Sequence, residues 1–98
     1  MIDKKFYDFL STEGYFEMRE IEGRGVCALG RMMFTVGLFC AMDYGGYGYR
    51  YCYGDLRAAL DAIRKWDGVN HPPGPWIKRK GEDGELWNEG YNENRDIV

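Results

Sequence analysis

Few side chains in this sequence are equipped for covalent chemistry. Cys27, Cys40 and Cys52 are the three cysteines and His71 is the single histidine. One histidine with three thiolates would suit a tetrahedral zinc ion, and a thiol beside an imidazole would suit nucleophilic catalysis. The spacing supports neither, because there is no Cys-x-x-Cys pair and each cysteine stands alone inside an apolar, strand-like run. Such cysteines behave as small buried hydrophobes in a reducing compartment, and an odd number of them is no disulfide framework. Ser11 is the only serine, so a hydrolytic triad lacks its usual material. Neither a GxGxxG turn opening a helix nor a GxxxxGK[ST] loop occurs. Asp43, Asp55 and Asp67 stand where turns and helix caps are expected. The chain therefore reads as non-enzymatic, with no catalytic residue, cofactor or metal ligand set.

Its chemistry is that of contact. Aromatic residues make up 16% of the chain, and eight of them are tyrosine. Tyr47, Tyr49, Tyr51 and Tyr53 alternate with Gly48, Arg50 and Cys52, so in a strand the four rings share one face and Arg50 lies on the other. Beneath a helix those rings are core with hydroxyls at its rim. Exposed, with Tyr44 just upstream, they form a protein-binding hot spot or a platform on which single-stranded bases stack. Trp76 leads into Lys78, Arg79 and Lys80, a basic cluster suited to phosphate, to an acidic protein surface, or to a solvated edge strand. The candidate partner-binding residues are therefore Tyr44, Tyr47, Tyr49, Arg50, Tyr51, Trp76, Lys78, Arg79 and Lys80.

The elements that must position them follow from the pattern. Asp3 caps a short helix reaching about Ser11, with Phe6, Phe9 and Leu10 at helical spacing and Gly14 as a stop. Tyr15 to Ile21 alternates like a strand and turns at EGRG, Gly25 to Leu29 forms a second strand, and Met32 to Met42 is predicted as one long central strand. Asp43 to Gly46 offers hairpin chemistry, and YGYRYCY returns as a strand. Leu56, Ala59, Leu60, Ile63 and Trp66 then mark an amphipathic helix capped by Asp55 and ended by Gly68. The three prolines of HPPGPW impose an extended, stiff loop, and Ile77 to Lys80 reads as a short edge strand. This order predicts an α+β fold, an antiparallel sheet of about four strands with one or two helices packed on one face.

Length and charge set the frame. Ninety-eight residues build one core, and 45% hydrophobic with 30% charged residues is the composition of a globular domain. Residues 1–81 carry 12 basic and 10 acidic side chains, a balance of +2, whereas residues 82–98 carry one arginine and six acids, a balance of −5. The expected organisation is one domain over 1–81 and an acidic C-terminal tail over 82–98. No apolar run is long enough to span a membrane and no signal-peptide pattern opens the chain, so a cytoplasmic protein without a membrane partner is expected. An unpaired sheet edge leaves a homodimer open.

From Gly46 to Gly81 the chain resembles small uncharacterised proteins encoded by phages, prophages and other bacterial mobile elements. The shared features are the RYCY strand, the helix ending in WDG, and PPGPWIKxKG, with FTVGL at Phe34–Leu38 upstream. The resemblance implies a genomic setting in which small binding proteins inhibit host defence, as anti-CRISPR proteins do by occupying a surface of a CRISPR effector. The leading expectation is thus a binding inhibitor of a host protein such as a CRISPR effector subunit, acting in the host bacterial cytoplasm. The alternative is a small nucleic-acid-binding regulator that uses the tyrosine face.

Overall fold

The chain begins with α1 (Lys4–Thr12), whose N-terminus is closed by the Asp3 carboxylate accepting the Phe6 amide at 3.2 Å. In the computed structural model the described residues are 2–76, together with the backbone of two short strands further on, Lys78–Lys80 and Leu86–Trp87. Strands β1 (Phe16–Ile21), β2 (Gly25–Arg31), β3 (Val36–Cys40) and β4 (Tyr49–Tyr53) follow, then α2 (Leu56–Lys65), β5 (Lys78–Lys80) and β6 (Leu86–Trp87). The six strands form one antiparallel sheet in the order β1-β2-β3-β4-β5-β6. The expected α+β architecture with a four-stranded antiparallel meander is present, and two short strands extend its β4 edge. Otherwise the segment expected as an acidic tail lies outside the described residues.

Alternation along the strands gives the sheet two unlike faces. On one, Cys27, Leu29, Val36, Leu38, Cys40, Tyr49, Tyr51 and Tyr53 pack beneath Ala59, Ala62 and Ile63 of α2. Asp55 caps that helix by accepting the Ala58 amide at 2.8 Å, and Arg19 in β1 holds its other end, Nη1 donating to the Ile63 and Trp66 carbonyls at 2.6 Å each. On the opposite face Leu10 of α1 meets Ala28, Phe39 and Met42, so the two helices belong to different layers. Gly68, at φ +89, passes so close to the Glu22 carbonyl that a Cβ there would collide with it.

Two local expectations are corrected. The apolar run Met32–Met42 is not one strand: β2 ends at Arg31, Met32 N–H donates to the Thr35 carbonyl at 2.8 Å, and β3 starts only at Val36. A run of 11 residues is about twice a usual strand, and an apolar turn within it hides the break from any periodicity argument. The second correction concerns Tyr47. Strand β4 begins at Tyr49, after a loop in which Ala41 has φ +53 and Asp43 Oδ1 accepts the Gly45 amide at 2.7 Å. The chain therefore reaches β4 after Tyr47, whose ring crosses to the α1 face and meets Phe39 edge-on at 4.8 Å.

Candidate functional site

The expected tyrosine platform is core. Tyr49, Tyr51 and Tyr53 are 7%, 2% and 0% exposed, and Trp76 is 2% exposed. Each hydroxyl or indole N–H is anchored: Tyr49 Oη accepts from Arg24 Nη1 at 3.0 Å, Tyr51 Oη lies 2.9 Å from His71 Nδ1, Tyr53 Oη donates to the Pro73 carbonyl at 2.8 Å, and Trp76 Nε1 donates to the Pro72 carbonyl at 3.2 Å. Burial pushes the Tyr49 and Tyr53 phenols above the ordinary tyrosine range. Tyr49, Tyr51 and Trp76 are corrected from partner-contact residues to core residues, because α2 and the proline loop cover them. Those buried rings offer bases no face on which to stack.

The proline loop is the second cover. Tyr51 packs edge-to-face against Trp76 at 5.3 Å and against Trp66 at 6.0 Å, and His71 lies edge-on to Trp76 at 5.6 Å. His71 is thus engaged with Tyr51 and Trp76. The three cysteines are free thiols in the interior. A hydrogen bond with Cys40 lowers the Cys27 thiol, whereas burial raises Cys40 far above the ordinary thiol range. Among the described residues, no three His, Cys, Asp or Glu side chains come together as a metal-ligand set. No described helix is long and apolar enough to cross a membrane.

What remains outside keeps Tyr44 of the expected set and adds residues that were not in it. The turn between β2 and β3 presents Met33 and Phe34 at 87% and 85% exposure. Next to it, Glu13, Tyr15, Phe16, Gly30, Arg31 and Phe39 line a half-open cleft of about 360 Å³, and the Arg31 guanidinium lies 5.8 Å from the Phe16 ring centre. At the other end of β3, Tyr44 is 59% exposed and its ring leans on Phe6 and Phe9 of α1 at 5.0 and 4.9 Å. Tyr44 is therefore at the surface. Half-buried Tyr47 and Arg50 meet on the α1 face, Arg50 Nη1 donating to Tyr47 Oη at 2.7 Å. Lys78, Arg79 and Lys80 form β5, whose backbone pairs with β4, and their side chains lie outside the described residues. Met33 and Phe34 are exposed apolar residues that the sequence did not single out. The available signal was the length of the Met32–Met42 run, about twice that of a usual strand.

Comparison with protein-family models, curated proteins and solved structures returned no match.

Proposed function

We propose that this protein acts by occupying a surface of another protein, as a phage- or mobile-element-encoded inhibitor of a host defence protein in the bacterial cytoplasm. An anti-CRISPR inhibitor that covers part of a CRISPR effector is the specific form of that reading. The observation that carries it is the Met33–Phe34 turn, two large apolar side chains held almost wholly in water at the end of the β2–β3 hairpin. Large exposed apolar groups on a well-packed domain mark interaction sites, and aromatic residues are frequent hot spots. The fold defines the turn: β2 and β3 are paired from Arg31↔Val36 inward, and the Met32–Thr35 hydrogen bond closes it. A pre-ordered contact element avoids the entropy of ordering a loop on binding. Tyr44, braced by Phe6 and Phe9, is a second aromatic contact at the other end of β3.

The test is expression in bacteria that each carry one of a panel of CRISPR interference systems and are challenged with a targeted phage. The expected result is loss of interference by one system, recovery of interference with Phe34→Ser at unchanged circular dichroism, and co-purification of the effector after nuclease treatment. Full interference across the panel refutes the anti-CRISPR reading. Co-purification that vanishes with nuclease replaces it with the nucleic-acid-binding regulator.

A further inference from the structure

We propose that the pocket between α1 and the Asp43–Gly46 turn receives a lysine side chain of a protein partner. The pocket is half-open, measures about 120 Å³, and has Phe9, Glu13, Tyr15, Met42, Asp43 and Tyr44 in its lining. Pockets for whole small molecules start at about 300 Å³, so this one suits a single side chain. Its deeper wall is apolar, because Leu10 and Met42 are buried. Tyr44 leans on Phe9 with ring centres 4.9 Å apart and is 59% exposed, so its ring stands at the mouth. Three aromatic rings round one small opening attract a cation through their negative faces.

The charge of the pocket has one sign. Glu13 and Asp43 are its ionised lining residues at neutral pH, and among the described residues neither belongs to an ion pair. Arg31 lines the neighbouring cleft with Glu13, but its guanidinium lies against the Phe16 ring at 5.8 Å. Glu13 is also the C-cap of α1, whose last turn holds no basic residue, so the negative end of the helix adds to the same field. Burial first, then Tyr47 and the Glu13 carboxylate, hold the Tyr15 phenol above the ordinary tyrosine range, which sets the Glu13 charge close to the Tyr15 hydroxyl.

The acceptors suit an ammonium better than a guanidinium. Asp43 Oδ1 already accepts the Gly45 amide at 2.7 Å, which leaves Oδ2 as its free oxygen. A guanidinium is held best by both oxygens of one carboxylate, whereas an ammonium takes single acceptors from several directions. Glu13 and Asp43, on separate elements, offer the second arrangement. The lysine assignment rests on the reading that this protein covers another protein, and it adds a basic residue to the surface covered. Binding in the pocket is measured on the purified chain alone, so a failed phage challenge and a failed titration are separate results.

The test is an NMR titration of the full chain at constant ionic strength with Nα-acetyl-lysine methylamide, and with its norleucine and arginine counterparts in parallel. The expected result is a saturable shift at Glu13 and Tyr44 with the lysine probe, and weaker binding of the other two. Tyr44→Leu keeps an apolar side chain but loses the ring face, and weakens lysine binding by about two- to fivefold. Glu13→Gln combined with Asp43→Asn weakens it by at least about threefold, and thermal melting confirms that the variants fold. No saturable shift with the lysine probe, equal affinity for norleucine, tighter binding of arginine, or undiminished binding to the double carboxamide variant overturns the proposal.

Discussion

Gly37→Ala tests the packing of the sheet face that carries Tyr47 and Arg50. Gly37 is the second residue of β3, directly opposite Gly30, and the Phe39 ring lies over the space that two Cβ atoms would take. A Cβ at Gly37 would stand 2.6 Å from Phe39 Cε1, 2.9 Å from its Cζ and 3.2 Å from Met32 Sδ. The ring cannot swing away cheaply, because it is buried and held edge-on by both Tyr15 and Tyr47. Overpacking of a core costs about 1–3 kcal/mol, and each displaced edge-to-face pair adds about 0.5–1.5 kcal/mol, so a loss of about 2–4 kcal/mol is expected. For a domain of this size that lowers the melting midpoint by about 10–25 °C. Calorimetry or denaturant unfolding measures it. Phe39→Leu should relieve the clash, so the double variant is more stable than the sum of the single losses by about 1–2 kcal/mol. A Gly37→Ala protein within about 0.5 kcal/mol of the parent, or strictly additive losses, would refute the argument.

Other perturbations report on other parts of the molecule. Arg19→Met leaves the Ile63 and Trp66 carbonyls without their charged donor, and denaturant unfolding should register a loss of about 1.5–3 kcal/mol. An aromatic disulfide reagent should titrate none of the three thiols in the native protein on the minute timescale and all three in denaturant, because each is buried. Fast native labelling would show that the β2–β3 region opens readily. The Arg64 guanidinium, bonded to Glu17 at 3.0 and 3.1 Å, holds the Glu17 carboxyl below the usual glutamate range. A depressed folded value means that this contribution is complete above the unfolded glutamate range and fades as pH falls through the folded value. Glu17→Gln should therefore flatten part of the acid limb of the stability–pH curve and leave the alkaline limb unchanged.

The elements that were legible in the sequence share one physical property, local encoding. Helix α2 was readable because Leu56, Ala59, Leu60 and Ile63 repeat at helical spacing behind an Asp55 cap, and the cap bond is present. Strand β2 and the Asp43–Gly46 turn followed equally, and β1 did so in its extent but not in its facing, because an irregularity between Phe16 and Arg19, with Glu17 at φ +53, puts Phe16 and Met18 on opposite faces. The β2–β3 turn did not, because Met32, Met33 and Phe34 carry no turn signature and their hydrophobicity copies that of the strands beside them. Only the pairing partner locates such a turn, and pairing is a long-range property.

The same division runs through the candidate site. By itself the sequence determined that Tyr49, Tyr51 and Tyr53 share a face with Arg50 opposite, because a two-residue period is a property of one strand. It also determined the α+β class, since this order of periodic segments supports little else. The tertiary structure decided which face meets α2, and so placed those three tyrosines in the core. It decided too that Tyr47 leaves the row, because the loop from Ala41 to Gly48 delivers the chain to β4 one turn later. Strand periodicity sorts side chains into two sets, and only the packing of other elements decides which set faces water.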